Sequence, residues 1–435
     1  MSELPKGWIV VTLGEVCSKP QYGYTTKSCP EGRVQYLRTT DLSSGKVNWG
    51  TVPYCLTEPD KVDKYQLEHN DIVISRAGSV GYHHLIKSPP NNAVFASYLI
   101  RFKPLDCVEP RYLSHFLNSR QYWSQITEHS AGVAVQNVNA KKLASLVLPV
   151  APLDEQKRIA DKLDSVLAKV EAAQARLDKI PTILKRFRQS VLAAATSGEL
   201  TKEWREENDA DLEWKRVQVS EIVEKIEAGK SIKCDERPPQ NDEFGIIKIS
   251  AVTWGVYNEL ESKTLFDKSV FLENRRINVG DFLISRANTI ELLGMPVIVH
   301  EVTKNLMLSD KVLRLVMDDI DKSWLSFYFR SPEGRKQIEN GSSGNQESMR
   351  NIGQKALMAI ELKNPTKPEK LEIIRRVDEL FSKADSVEQQ YNAAKACLDK
   401  LTQSILKKAF KGELLSSSID SEVVKALDGD LAMQY

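Results

Sequence analysis

Ile159-Ala-Asp-Lys-Leu-Asp-Ser-Val-Leu-Ala-Lys-Val170 sets apolar residues at alternating steps of four and three. The stripe continues unbroken through Ile159, Leu163, Val166, Val170, Ala173, Leu177, Ile180, Leu184, Phe187 and Val191. It recurs 214 residues later as Ile373, Val377, Leu380, Ala384, Val387, Tyr391, Ala394, Leu398, Leu401 and Ile405. One such stripe would suit an ordinary amphipathic helix over a globular core. Two of equal period and length predict helices that pack on each other as a left-handed coiled coil. About 40 residues at 1.5 Å each would give a rod of roughly 60 Å. Pro181 lies inside the first stripe, so a kink or break is expected there.

Outside the stripes the chain also repeats. Ser190-Val-Leu-Ala-Ala-Ala-Thr-Ser-Gly-Glu-Leu200 matches Ser404-Ile-Leu-Lys-Lys-Ala-Phe-Lys-Gly-Glu-Leu414, and Asp71-Ile-Val-Ile-Ser-Arg-Ala77 matches Asp281-Phe-Leu-Ile-Ser-Arg-Ala287. Tyr112–Ser119 resembles Trp324–Ser331, and Trp8 with its following strand echoes Trp214. Ordered offsets of 206 to 214 residues indicate a tandem duplication with small insertions. The order is therefore head (1–152), helix (153–200), head (201–365), helix (366–415) and tail (416–435). A second helix that packs along the first must run back toward its origin, so the pair should be antiparallel. The expected fold is α+β: two similar mixed heads joined by two long helices, with an internal pseudo-two-fold repeat.

Each head alternates short β-like runs with polar turns. Arg33–Arg38, Asp71–Ser75 and Ala96–Phe102 read as strands, and Pro110–Tyr122 reads as a helix. The second head repeats this with strands at Gly245–Ser250, Asp281–Ser285 and Lys311–Val316. The turns carry side chains that donate and accept at base edges. In the first head the candidates are Tyr22, Tyr24, Lys27, Arg38, Thr39, Thr40, Gln136 and Asn137. Lys230, Lys233, Lys248, Ser250, Asn288 and Gln346 are those of the second. Arg76 and Arg286 follow matched strands and have two readings, DNA contact or an ion pair that fixes the scaffold.

Composition limits the partners. The 435 residues carry a formal net charge of +1. Residues 1–150 are at +4, 151–200 at +2, 201–361 at −5 and 362–435 at zero. Affinity for nucleic acid scales with the phosphates neutralised, so a chain this neutral needs a partner to supply much of the grip. No apolar run approaches the roughly 18–20 residues of a membrane span, and Met-Ser-Glu-Leu-Pro-Lys-Gly-Trp8 is not a secretory signal. Cys17, Cys29, Cys55, Cys107, Cys234 and Cys397 are scattered without a Cys-x-x-Cys pair. That spacing suits a reducing cytoplasm better than zinc or a disulfide framework.

A search for chemistry finds false positives. Ala228-Gly-Lys-Ser231 resembles the tail of a phosphate-binding loop, but Glu224 stands where the first glycine belongs. Ser88-Pro-Pro-Asn91 and Arg237-Pro-Pro-Gln240 lack the aromatic of an amino-methyltransferase tetrad. His83 and His84 are adjacent, which cannot place two ligands on one side of a strand; a surface turn is expected there. No catalytic or metal-ligating residue is assigned, which argues against a stand-alone nucleic acid enzyme.

Leu148-Pro-Val-Ala-Pro-Leu-Asp-Glu-Gln-Lys-Arg-Ile-Ala160 resembles the apolar-Pro-x-x-Pro-Leu-x-Glu-Gln-x-x-Ile signature of type I restriction–modification specificity subunits. So do Ile180–Gln189 and Gly198-Glu-Leu-Thr-Lys-Glu-Trp204, and the likeness over residues 5–415 is nearest the enterobacterial A-type subfamily. The resemblance implies two target recognition domains reading an asymmetric, bipartite DNA site, and helices that dock two modification (methyltransferase) subunits. Glu155, Gln156, Ile159, Leu163, Val170, Leu177, Leu184, Val377, Leu380, Leu398 and Leu401 are the implied interface positions. Restriction (motor-nuclease) subunits would join that core, and S-adenosylmethionine, ATP and magnesium would sit on partners, none on this chain. In the second half Lys370 replaces the signature glutamine, and the tail after Leu414 departs from the pattern. A scaffold whose two heads bind proteins is the alternative.

Overall fold

The computed structural model describes residues 4–42, 47–130, 137–210, 213–344 and 349–416. The chain forms two compact units, Met1–Asp178 with Tyr391–Tyr435, and Lys179–Gln390.

In the first unit Ile72–Ser75 is buried on both faces, as its unbroken apolar run requires. It lies inside an antiparallel sheet ordered Gln21–Tyr22, Leu99–Phe102, Ile72–Ser75, His83–Leu85. A second sheet runs Ser28–Cys29, Tyr54–Cys55, Gln35–Leu37, Ala93–Phe95, and its last pair is parallel. Ile9–Thr12 pairs with Val147–Val150, tying the start of the unit to the stretch that leads into the first long helix. The adjacent histidines thus lie in a strand and not in the expected turn, with His83 Nε2 3.1 Å from the Ser114 carbonyl. The single helix expected over Pro110–Tyr122 is instead two, Pro110–Phe116 and Arg120–Ser130. The Ser119 N–H turns back to the Phe116 carbonyl at 2.8 Å, and the Ser119 hydroxyl accepts from the Tyr122 N–H, opening the next helix.

The second unit repeats the strand order of these sheets and adds a three-stranded sheet of Ala287–Asn288, Arg350–Ile352 and Ser342–Ser343. Its antiparallel sheet is ordered Lys225–Ala228, Val312–Val316, Phe282–Ser285, Pro296–Ile298. Its other sheet is ordered Cys234–Asp235, Ser262–Leu265, Phe244–Ile247, Asn305–Met307, again with a parallel last pair. Lys215–Gln218 closes on Glu361–Asn364.

The long helices are Leu153–Leu177, Ile180–Ser197 and Lys367–Ala409. The first stretch is therefore not one rod. It breaks after Leu177, and Pro181, with no N–H to give, stands in the first turn of the new helix. Gly198 and Gly412 take the left-handed conformation just after helix ends, which explains the repeated Gly-Glu-Leu.

Within the first unit Ile159, Leu163, Val166 and Val170 share a core with Leu398, Ile405, Leu406, Phe410 and Leu414. Asp178 lies 3.8 Å from Lys395, while Gln156 bonds Glu109 in the segment that opens the helix carrying Tyr112 and Phe116, the rings against Phe410. The two helical segments therefore run antiparallel. Within the second unit Val191, Leu192 and Ala195 meet Ile373 and Val377. Arg188 bonds Asp385 and Glu388, and Arg376 bonds the Leu200 carbonyl, so this pair is antiparallel too.

The stripes are not buried end to end. Phe187 is 38% and Val387 42% exposed, because each core covers only the stretch beside its own sheets and helices. Among the described residues no helix is long and apolar enough to cross a membrane.

Candidate nucleic-acid interface

In each unit the strand at the centre of the antiparallel sheet delivers an arginine at its end. The Arg76 N–H donates to the Tyr98 carbonyl at 2.9 Å, and its carbonyl accepts from Val138 at 3.0 Å. Arg286 is clamped in the same way, by the Lys311 carbonyl and the Ile352 N–H, both at 3.0 Å. The Arg76 guanidinium lies 5.1 Å from the centre of the Tyr22 ring, with Nε 3.4 Å from Asn137 Oδ1. The Tyr22 hydroxyl accepts from the Ala140 N–H at 3.0 Å. Three residues distant in sequence, Tyr22, Arg76 and Asn137, thus form one cluster.

Other sequence candidates are already occupied. Arg38 makes a two-point ion pair with Asp41, its Nε at 3.1 Å and Nη2 at 2.9 Å, which holds the guanidinium pKa up. Thr39 and Thr40 lie in the short 3-10 turn beside it, Thr39–Leu42. Tyr24 packs its ring 5.5 Å from that of Tyr65, in a small core with Tyr36 and Val94. Ser250 donates to Glu261, Lys248 to the Glu236 carbonyl, and Asn288 to the Thr253 hydroxyl. Lys27, Lys230 and Lys233 are exposed. Gln136 and Gln346 lie outside the described residues.

A pair of arginines escaped the sequence reading. Arg101 and Arg314 occupy the same place in the two sheets, opposite Val73 and Leu283. Arg101 is buried with Asp71 at 3.3 Å and also bonds Gln21. Arg314 is buried with Glu227 at 2.6 Å and Asp281 at 2.8 Å. Burial pushes the Asp71 carboxyl up. Burial would also raise Glu227, but hydrogen bonds from Lys225 and Arg314 hold it down at about 2. These latches fix the strand register that presents Arg76 and Arg286. The repeated Leu-Ile-Arg-Phe and Leu-Arg-Leu strings were their only sequence signal.

Glycine explains the false phosphate loop. A side chain on Gly229 would meet the Leu308 carbonyl oxygen at 1.7 Å, and one on Gly23 the Phe95 oxygen at 2.2 Å. The residue serves close strand approach.

The implied interface positions turn inward. Gln156 is buried; it accepts from the Glu109 N–H at 2.9 Å and donates to the Ala151 and Cys107 carbonyls. Its counterpart Lys370 ion-pairs with Asp321, so the replaced signature residue keeps its task of holding the neighbouring helix. Glu155 accepts from the Trp8 indole at 3.3 Å. Ile159, Leu163, Val170, Leu184, Val377 and Leu398 are buried in the protein, while Leu177, Leu380 and Leu401 are half-buried.

Residues 5–182 match the family model of the type I restriction modification DNA specificity domain. The chain is 30% identical over 436 residues to the type I restriction enzyme EcoKI specificity subunit of Escherichia coli K12, spanning 95% of this chain and 90% of that protein. To the StySPI specificity subunit of Salmonella potsdam it is 29% identical over 432 residues, with the same shares of 95% and 90%. Its fold is similar to a chain in a solved structure of a type I R-M system, with TM-score 0.67, 19% identity and coverage of 95% and 100%. The HsdS subunit from Thermoanaerobacter tengcongensis is similar at TM-score 0.54 and 19% identity, covering 95% and 98%.

Proposed function

Because the chain belongs to the specificity subunits of type I restriction–modification enzymes, we propose that its two units read the unlike halves of an asymmetric, bipartite DNA site. The chain supplies DNA sequence specificity within a multi-subunit enzyme and is not itself the catalyst; the family disfavours the protein-scaffold alternative. One observation supports two readers: the units share strand order and register, yet differ in the side chains set on that frame. Tyr22 stands on one frame where Ala228 stands on the other. A common scaffold with different edge residues is what reading two sequences requires.

The finer assembly follows the resemblance and the near-neutral charge. Two modification subunits dock on the helices, restriction subunits join them, and the complex works in the cytoplasm. S-adenosylmethionine, ATP and magnesium are held by the partners, which also provide most of the phosphate contacts.

The test exchanges residues 213–364 for the corresponding unit of a relative and maps methylated DNA made by the complex with modification subunits. One half of the recognised sequence should change and the other stay. An unchanged sequence, or methyl transfer by the purified chain alone, would refute the reading.

A further inference from the structure

Arg76 and Arg286 occupy one position on two frames, but only one of them is held. Tyr22 lies opposite Ile100, which lies opposite Ile74. Ala228 lies opposite Leu313, which lies opposite Ile284. The ring that stacks on Arg76 is therefore a methyl group in the second unit. The asparagine is retained: Ala77 bridges to Asn137, and Ala287 pairs with Asn351. Even so, no hydrogen bond or ion pair engages the half-buried Arg286 side chain among the described residues. A partly desolvated cation without a partner is unfavourable unless a ligand completes it.

The surroundings indicate the ligand. Ala228, Val312 and Ser285 end or begin neighbouring strands, so Lys230, Lys311 and Arg286 gather at one end of the sheet. Lys230 is exposed, and Lys311 pairs with Asp310 at 3.2 Å. Arg350, across from Asn288, bonds only neutral oxygens among the described residues, those of Ser342 and Gly344. Residues 201–361 carry net charge −5, so a basic edge here runs against the composition of its unit. Locally concentrated cations on an acidic body suit an anionic polymer.

We infer that Arg286 is a specificity-determining residue that contacts a base edge of DNA, with Lys230 and Arg350 on flanking phosphates, whereas the Arg76 guanidinium is engaged within its own frame by Tyr22 and Asn137. The inference rests on the DNA-reading role proposed above. A guanidinium fork fits the two acceptors of guanine in the major groove, and the missing ring leaves the Arg286 fork free to reach them.

The experiment uses the chain assembled with its modification subunits, and scores methylated sequences from a random DNA pool together with affinity at two salt concentrations. Arg286→Ala should relax preference at a position in one half-site by about 5- to 150-fold. Arg286→Lys, which keeps the charge and loses the fork, should relax the same position. Ala228→Tyr keeps the arginine but supplies a ring to capture it, and should weaken that position too. Arg76→Ala, which breaks the cluster with Tyr22 and Asn137, should lower the melting temperature. The inference is overturned if Arg286→Ala and Arg286→Lys keep the wild-type preference, or if affinity falls equally for all sequences. Loss of modification-subunit binding by a folded Arg286→Ala would also overturn it, since the arginine would then serve a partner carboxylate. Should the wild-type complex itself show no sequence preference, the broader DNA-reading role fails first, a distinguishable result.

Discussion

Trp214 donates its indole N–H to Glu369 at 2.8 Å, onto a carboxylate that is 1% exposed. The same carboxylate takes Arg205 at 2.6 Å and the Thr201 hydroxyl at 2.7 Å. Trp8 and Glu155 are the matching pair in the first unit, longer at 3.3 Å and half-buried. Glu369→Ala leaves the buried Arg205 charge unpaired and should cost about 3–5 kcal/mol. Glu155→Ala removes one weaker bond and should cost about 0.5–1.5 kcal/mol. Urea denaturation of both variants checks the ranking; equal losses would contradict it.

The helix seam should be sensitive only where it is covered. Leu163 is fully buried, so Leu163→Asp should cost more than the roughly 2–5 kcal/mol of a simple truncation. Leu380→Asp, at a half-buried position, should cost less. Phe187→Asp, on an exposed part of the same stripe, should fall within about 1 kcal/mol of the wild type. Melting curves of the three variants distinguish this from a seam closed along its whole length, which would give similar losses.

His83 makes the first unit sensitive to mild acid. Burial holds its ring at about 4 against an ordinary 6.5. As pH falls below 6.5 the unfolded chain gains a proton that the folded ring refuses, so stability is complete above 6.5 and declines toward 4. The slope contributed is at most about 1.4 kcal/mol per pH unit. Measured between pH 7 and 4, His83→Gln should flatten the decline; an unchanged slope would show that another group dominates.

Gly23 and Gly229 have no room for a side chain beside the Phe95 and Leu308 carbonyls. Gly229→Ala must push the backbone at Leu308 away and should cost at least about 1–3 kcal/mol, with Gly23→Ala in the same direction. Soluble yield and thermal unfolding report it, and wild-type melting of Gly229→Ala would disprove the close approach.

Long-period features were legible in the sequence. The duplication, the helical stripes and the break near Pro181 follow from spacings that need no knowledge of tertiary contacts. Strand pairing was not legible, because strands of two to five residues such as Gln35–Leu37 and Ala93–Phe95 find their partners across long stretches of chain. The partners of polar turn residues were hidden for the same reason. Arg38 meets Asp41 only when the intervening turn closes, and Tyr24 finds Tyr65 across some forty residues. The family signature drew attention to Glu155 and Gln156, and their contacts with Trp8 and Glu109 inside the unit could not be read from it.

Leu398, Ile405, Phe410 and Leu414 complete a core whose opening strand is Ile9–Thr12. During synthesis the ribosome therefore releases the first unit with one wall absent, and Tyr112 and Phe116 stay uncovered until Phe410 has been made. A nascent chain truncated before residue 391 is left with that greasy trough open to chaperones and proteases. Quality control of the first unit is thus tied to translation past Leu414.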